Sequence, residues 1–152
     1  MLIFMGICIT LQWLDDYRGV CPDGWHVPSD REFMELEMYL GMNEEDANSY
    51  GWRWRGIDEG SILAENSDLW NDGNLENNSE FGTSGFNAIP AGYCYDGSGF
   101  YSNMGSYGYF WSSPWYASNT ACDRRLYFDR SDVVRNFNYH RRNGYSIRCL
   151  GD

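Results

Sequence analysis

Two aromatic motifs decide the fold of this chain: Gly108-Tyr-Phe-Trp-Ser-Ser113 and Gly144-Tyr-Ser-Ile-Arg-Cys149. The stretch that holds them, Gly92 to Asp152, carries nine of the twelve tyrosines among many Ser, Asn, Gly and Arg residues. Tyr and Trp give large, stiff contact area, while Ser, Gly and Asn adapt their hydrogen bonding. Acids and bases of the kind that catalysis needs are scarce there. The composition therefore favours a recognition surface over a catalytic site.

The charge of the chain is divided unevenly. Residues 1–92 hold seventeen acids and four arginines, whereas residues 93–152 hold five acids and seven arginines, and there is no lysine. Nucleic-acid binding needs a concentrated basic patch, so we expect no nucleic acid as partner. Arginine stacks on aromatic rings and suits contact surfaces, although compositional drift explains the same pattern equally well.

The cysteines and the N-terminus bear on the compartment. The chain has five cysteines, no Cys-x-x-Cys pair and two histidines, so we expect no structural zinc site. Scattered cysteines favour an oxidising compartment. Residues 1–10 are apolar, but they lack a basic leader region and are too short to span a bilayer. They predict a first strand or a truncated leader, ahead of one domain over residues 11–152.

Helices are predicted in the first half of the chain. Ser29 and Glu32 form a capping box, the apolar stripe of Phe33, Leu36 and Leu40 follows, and Gly41 ends the helix. A second short helix is predicted over Ser61 to Trp70, with loops over 43–60 and 72–84.

Short strands are predicted in the rest of the chain. Apolar or aromatic runs alternate with Gly, Ser and Asn, which is typical of antiparallel strands. These runs are residues 2–13, Phe86–Tyr95, Phe100–Ser102, Tyr109–Ser113, Arg125–Phe128 and Tyr145–Leu150. Helices followed by strands predict an α+β domain.

Few residues suggest catalysis or metal binding. The carboxylate pairs, such as Asp15-Asp16, are adjacent in sequence and do not converge on one substrate atom, so they indicate a solvated face. Trp70-Asn71-Asp72 lies where a calcium loop would need an oxygen ligand in place of Trp70. We therefore expect no metal, no cofactor and no enzymatic activity.

Four motifs in order resemble one family. They are Cys21-Pro-Asp-Gly-Trp-His-Val-Pro-Ser29, Ser84-Gly-Phe-Asn-Ala-Ile-Pro-Ala-Gly92, Tyr109-Phe-Trp-Ser-Ser113 and Gly144-Tyr-Ser-Ile-Arg-Cys149. Together they resemble the Fibrobacter succinogenes major paralogous domain, which occurs in Bacteroidetes and their phages. The resemblance spans about Leu11 to Asp152.

That resemblance implies a C-type lectin-like fold, with two helices flanking a small twisted antiparallel sheet, paired terminal strands and long loops. It implies a disulfide between Cys21 and Cys149, and Cys94 with Cys122 could form a second one. The Cys21–Cys149 loop is long, so the bond would stabilise the domain by roughly 4–5 kcal/mol. Phe86, Phe110, Trp111, Tyr145, Ile147 and Trp25 would be frame residues.

Two features put parts of the family pattern in doubt. Met1–Thr10 replaces the usual Trp-x-x-x-Asn-Leu strand, and the sugar-binding partner motifs of calcium lectins are absent. The related formylglycine-generating enzymes need a reactive cysteine pair, for which Cys94 and Cys122 are the candidates. That enzyme type and a structural surface domain remain alternatives to a binding module.

The segment Tyr101 to Asn143 also resembles the products of diversity-generating retroelements, which scatter Tyr, Ser, Asn, Asp, His and Arg over a fixed frame. We expect it to bind a cell-surface protein or glycan, without membrane insertion, in an extracellular, cell-surface or virion setting. The predicted ligand-binding residues are Tyr93, Tyr95, Tyr101, Asn103, Tyr107, Tyr116, Asn119, Asp123, Arg124, Tyr127, Asp129, Arg130, Asn136, Asn138, Tyr139, His140 and Arg141.

Overall fold

The computed structural model describes residues 3–10, 19–95, 99–113, 121–138 and 142–152, with the backbone alone for 3–8 and 138. The helices in these ranges are α1 (Asp30–Tyr39), α2 (Glu44–Asn48) and α3 (Glu59–Leu63), followed by a 3-10 turn at Ser67–Leu69. The strands are β1 (Ile3–Ile9), β2 (Trp25–His26), β3 (Trp54–Arg55), β4 (Tyr93–Cys94), β5 (Tyr101–Ser102), β6 (Tyr107–Trp111), β7 (Ala121–Tyr127), β8 (Arg130–Asn138), β9 (Tyr145–Arg148) and β10 (Leu150–Gly151). The predicted α+β class is confirmed, although these ranges hold three helices and not the two that the resemblance implied. No helix within these ranges is long and apolar enough to cross a bilayer.

Helix α1 begins and ends where its capping residues predict. The Ser29 hydroxyl accepts a hydrogen bond from the Glu32 backbone N–H at 3.2 Å, and the Glu32 carboxylate accepts one from the Ser29 N–H at 2.7 Å. This reciprocal pair satisfies two backbone donors that the first turn leaves unbonded. The helix ends at Tyr39, and Gly41 follows with φ +122°, a conformation that favours glycine.

Residues 43–60 are more ordered than the sequence predicted. Asn43 caps α2 by accepting from the Asp46 N–H at 2.8 Å, and acidic residues in the first turn favour the positive end of the helix. Strand β3 follows and pairs with β8. The loop prediction for this segment was therefore wrong in part. The second predicted helix, Ser61 to Trp70, is confirmed only in part: α3 begins at Glu59 and ends at Leu63, and Ser67–Leu69 form a 3-10 turn.

Six strands form the main sheet in the order β1-β9-β6-β7-β8-β3. All neighbours are antiparallel except β6 and β9, which run parallel with Phe110 opposite Ser146. The expected wholly antiparallel sheet is thus corrected to a mixed one. The implied pairing of terminal strands is present, because β1 pairs with β9 and β2 with β10. Strand β8 was not predicted, and the predicted strand Phe86–Tyr95 is reduced to β4.

The two faces of this sheet carry separate cores. The helix face, defined by Phe110, Cys122, Arg124, Leu126, Val133, Arg135 and Arg55, packs Phe110, Leu126 and Val133 against Phe33 of α1. The tyrosine face, defined by Tyr107, Tyr109, Trp111, Asp123, Arg125, Tyr127, Val134, Asn136 and Trp54, joins Tyr109 and Trp111 to a second cluster. Its other buried members are Ile9, Ala121, Tyr145, Ile147 and Cys149. The predicted frame residues are buried, apart from the half-buried Trp25.

The cysteine pairing was predicted in part. Cys21 and Cys149 form a disulfide across 128 residues of sequence. Cys94 is also disulfide-bonded, whereas Cys122 is a free thiol, so the expected Cys94–Cys122 bridge is wrong. The two residues lie apart for a topological reason. Cys122 is buried on the helix face in β7, whereas Cys94 lies in β4, which pairs with β5 and with Gly144.

Candidate ligand-binding face

Cross-strand pairing aligns large side chains on the tyrosine face. Tyr107 lies opposite Tyr127, Tyr109 opposite Arg125 and Trp111 opposite Asp123. Because alternate residues of a strand point to the same face, all six share it. Ring centroids lie 4.5 Å apart for Tyr107 and Tyr127, and 5.4 Å apart for Tyr107 and Tyr109. The result is a continuous row of stacked and tilted rings.

Arg125 is the cation at the centre of this row. Its Nε donates to Asp123 Oδ2 at 2.5 Å, and its guanidinium lies 4.3 Å from the ring of Trp52 and 5.3 Å from that of Tyr109. Burial by itself would lower the pKa of Arg125, but the Asp123 carboxylate outweighs burial and raises it. Arg125 is therefore a fixed positive charge. Trp52, which covers it, is 75% exposed.

The row continues beyond Tyr127 at the β3 edge. Trp54 and Tyr127 have ring centroids 6.1 Å apart. The Arg130 guanidinium lies 4.9 Å from the Trp54 ring, while its Nη2 donates to Asp132 at 2.7 Å. A second arginine thus stacks on a tryptophan here, and both Trp52 and Trp54 belong to the face.

The β4–β5 hairpin adjoins the other end of the row. The ring of Tyr93 packs 5.4 Å from that of Tyr109, and Asn103 Nδ2 donates to the Tyr109 hydroxyl at 3.4 Å. Four large side chains of the hairpin region are exposed. They are Tyr95 at 58%, Phe100 at 77%, Tyr101 at 47% and Met104 at 66%.

Gly92 allows the backbone at the end of β5 to pack closely against the residue that precedes β4. Its φ is +65°, and a Cβ there would collide with the backbone oxygen of Ser102. A residue with a side chain would be strained by both the dihedral and the contact. This explains the glycine that ends the Ser84–Gly92 motif.

Buried ion pairs occupy the opposite, helix face. Arg124 donates to Glu37 at 2.6 Å and to Asp30 at 2.8 Å, and Arg135 donates to Asp30 at 2.5 Å. Arg55 donates to Glu37 at 2.9 Å. Burial alone would raise the pKa of Asp30, but hydrogen bonds from Arg135 and the charge of Arg124 lower it to about 2. These charges hold α1 against the sheet.

The family was identified by comparison with family models. The model described as the Fibrobacter succinogenes major domain matches residues 10–150. The chain belongs to this family. No curated protein and no solved structure matched the chain in the other two comparisons. The family resemblance that the four motifs indicated is therefore confirmed over nearly the whole domain.

Three predicted binding residues of this Fibrobacter succinogenes major domain are buried and not exposed to solvent. Asp123 is 0%, Arg124 1% and Asn136 7% exposed. Asp123 is bonded to Arg125, and Arg124 is bonded to two carboxylates of α1. The prediction that these three side chains are exposed was wrong, because Arg124 lies on the helix face beneath α1, while Asp123 lies against Arg125 and opposite Asn136 of β8.

The other predicted residues fall into four groups. Tyr93, Tyr107 and Tyr127 are half-buried in or beside the row of rings, and Tyr95, Tyr101 and Asn103 are exposed in the hairpin region. Asp129 and Arg130 are exposed where β7 turns into β8, with Asp129 accepting a hydrogen bond from the Asn74 amide at 3.0 Å. The side chain of Asn138 and all of Tyr116, Asn119, Tyr139, His140 and Arg141 lie outside the described residues.

Sequence reasoning missed several residues of this face. The sequence predicts a loop at Trp52 and Trp54, and its predicted binding residues do not include Phe100 or Met104. The spacing Trp52-Arg53-Trp54 was the available signal, because alternation of large aromatic residues is typical of a strand edge.

The predicted thiol and calcium candidates have internal partners. Burial raises the pKa of the Cys122 thiol to about 12, whereas a nucleophilic cysteine needs a lowered pKa. Cys94 is already oxidised to a disulfide. Trp70 is buried and donates to the Glu65 carbonyl at 3.2 Å, and Asn71 donates to the Ser106 hydroxyl at 3.0 Å. In the part of the chain that is described, no three His, Cys, Asp or Glu residues cluster to hold a metal ion.

Proposed function

We propose that this domain is a ligand-binding module that contacts a cell-surface protein or glycan through its tyrosine face and β4–β5 hairpin. One observation carries the proposal: exposed aromatic side chains at both ends are joined by a continuous chain of contacts. Trp52 lies over Arg125, Arg125 over Tyr109, and Tyr109 contacts Tyr93 and Asn103 of the hairpin region. Tyr109 and Arg125 are themselves buried, so the surface available to a partner consists of the exposed side chains at the two ends. Exposed apolar side chains that lie together in this way mark interaction sites.

The rigidity of the face supports binding. The rings are packed edge-to-face or stacked, and Arg125 is held at Asp123 by two hydrogen bonds. A surface that is ordered before binding loses little conformational entropy when a partner arrives. Burial raises the pKa of Tyr107 and Tyr109, so both hydroxyls are neutral; Tyr109 is buried and bonded to Asn103, whereas the half-buried Tyr107 can offer its hydroxyl to a partner. Stiff rings with neutral hydroxyls suit peptide groups and sugar hydroxyls alike.

Binding is proposed without covalent chemistry. The enzyme alternative needs a reactive thiol pair, and the raised pKa of Cys122 together with the oxidised Cys94 gives that alternative no support. The structural-domain alternative predicts self-association. Size-exclusion chromatography over a concentration series distinguishes it, since a binding module stays at one elution volume until its partner is added.

We further propose that a retroelement diversifies only the exposed positions of the segment Tyr101–Asn143. The buried bonds of Asp123 and Arg124 leave little tolerance for substitution, whereas Tyr101, Asn103 and Arg130 are exposed. Sequencing this gene in sibling strains should therefore show variation at the exposed positions and constancy at Asp123 and Arg124. Identical tails, with no adenine-rich template copy nearby, would refute diversification.

Glycan arrays and cell-binding assays test the binding site directly. The wild-type domain is compared with a Trp52→Ser/Phe100→Ser double variant, which removes an exposed ring from each end of the face. We expect at least a tenfold loss of binding, as for aromatic anchors at other interfaces. The matched control is Tyr39→Ser, since Tyr39 is 87% exposed but belongs to α1 on the other side of the sheet. Equal binding by the double variant and the control would place the site elsewhere.

A further inference from the structure

A cavity of about 190 Å³ lies between α1 and the C-terminal strands, away from the tyrosine face. Most of its wall is apolar. Leu150, which is 42% exposed, forms part of the wall, so the cavity reaches the surface. The side chains that give the cavity its chemical character are Glu32, Phe33, Leu36, Phe86, Arg148 and Leu150.

Arg148 is the unusual member of this wall. It is only 3% exposed, and its guanidinium lies 5.2 Å from the ring of Phe86. Its Nη2 donates to the Gly85 carbonyl at a long 3.4 Å. Its Nε and Nη1 have no hydrogen-bond partner among the described residues. Two donors of a buried charged group are thus left without a partner.

Every other buried arginine among the described residues has a carboxylate partner. Arg55 pairs with Glu37, Arg125 with Asp123, and both Arg124 and Arg135 with Asp30. The fold therefore provides counter-ions for its interior arginines as a rule. Arg148 departs from the rule at a place where an apolar cavity adjoins it.

The nearby carboxylates do not fill this role. Both oxygens of Glu32 are engaged, Oε1 with His26 Nε2 at 2.9 Å and Oε2 with the Ser29 N–H at 2.7 Å. Glu65 acts on Arg148 only through its charge. Burial lowers the pKa of Arg148 to about 10, which leaves the guanidinium charged at neutral pH. A buried cation without a bonded anion is unfavourable, and a bound anion would relieve it.

We propose that this cavity binds a small apolar carboxylic acid, with the carboxylate on Arg148 and the apolar group against Phe33, Leu36 and Phe86. A cavity of about 150 Å³ in another protein accommodates benzene, so about 190 Å³ has room for a ring with a short acidic side chain. The long bond to Gly85 holds the guanidinium weakly, and the carboxylate draws it towards the cavity. The site is separate from the proposed binding face and does not depend on it.

Nuclear magnetic resonance titration of the intact, disulfide-bonded chain tests this site. Phenylacetate and its uncharged isostere phenylacetamide are added separately. We expect phenylacetate to shift the amide signals of Phe33, Leu36, Gly85 and Phe86, with at least tenfold higher affinity than phenylacetamide. The proposal is overturned if phenylacetate causes no shift, or if both compounds bind equally well.

Two variants test whether Arg148 binds the carboxylate and whether the cavity holds the apolar group. Arg148→Met should abolish the preference for phenylacetate, whereas Arg31→Met, at an exposed arginine of α1, should leave it unchanged. Leu36→Trp should fill the cavity and weaken both compounds. If Arg148→Met does not fold, the comparison of phenylacetate with phenylacetamide on the wild-type protein still shows whether the cavity prefers a carboxylate. A preference that survives in folded Arg148→Met would refute the role of Arg148.

Discussion

The two faces of strands β6, β7 and β8 differ in how their arginines are used. On the helix face, Arg124 and Arg135 are paired with Asp30 and Glu37 of α1 in the buried interior. On the tyrosine face, Arg125 is paired with Asp123 and covered by the exposed ring of Trp52. Arg124 and Arg125 are neighbours in sequence, yet one holds a helix and the other supports a candidate binding surface. The side of the sheet, and not the residue type, separates the two roles.

The faces are also stabilised by different means. The helix-face core depends on ion pairs that join α1 to β7 and β8. The cluster on the tyrosine side contains Cys149, which a disulfide links to Cys21. Each kind of link can be removed separately, so the comparison can be tested by stability measurements.

The largest effect is expected from loss of the disulfide. Replacing both Cys21 and Cys149 by Ser frees a chain segment of 128 residues. In the chain-entropy model this lowers the free energy of unfolding by about 4–5 kcal/mol. Urea denaturation under oxidising conditions measures it. A decrease in the free energy of unfolding below about 1 kcal/mol would show that non-covalent packing alone stabilises the cluster on the tyrosine side.

The next largest effect is expected from Glu37→Gln. This change leaves Arg55 and Arg124 without the carboxylate that both contact, and removing one partner of a buried ion pair costs about 3–5 kcal/mol. The matched control is Glu35→Gln on the same helix, where Glu35 pairs with Arg31 at the surface. That control should change the free energy of unfolding by less than about 0.5 kcal/mol. Similar urea midpoints for the two variants would contradict a structural role for the buried network.

A smaller, pH-dependent effect is expected from Asp30. Its pKa is lowered from 3.8 to about 2 in the folded state, so its contribution is fully present above pH 3.8 and is lost as the pH falls through 2. The difference corresponds to about 2 kcal/mol. Urea unfolding between pH 5 and pH 2 measures it, and Asp30→Asn should remove this part of the acid sensitivity. An unchanged acid profile in that variant would assign the sensitivity to other carboxylates.

Local sequence signals predicted part of this architecture. The capping box fixed the start of α1, and the motif that ends at Cys149 indicated β9 and the disulfide, the latter through the family resemblance. Strand β8 was not predicted because its polar residues satisfy partners that are distant in sequence. Arg135 and Asp30, for example, are 105 residues apart. No local periodicity reveals such a pair, so the strand that carries this arginine was missed.

The charge asymmetry of the chain has a similar explanation. The arginines of the tail suggested a contact surface, yet Arg124, Arg125, Arg135 and Arg148 are all buried. Two of them neutralise carboxylates that the acidic first half contributes to the interior. Composition indicated a region rich in aromatic side chains, but only the register of the strands separates its displayed residues from its buried ones.

In the proposed division, the tyrosine face binds a partner while the helix face holds the fold. Partner affinity and the free energy of unfolding, measured together for Trp52→Ala and Leu126→Ala, separate the two roles. Trp52 is 75% exposed and Leu126 is 1% exposed in the helix-face core. Trp52→Ala should weaken binding at least tenfold and cost less than about 1 kcal/mol of stability. Leu126→Ala should cost about 2–5 kcal/mol and leave the affinity of the folded protein unchanged. Full affinity in Trp52→Ala, or lost affinity in folded Leu126→Ala, would contradict this division between the faces.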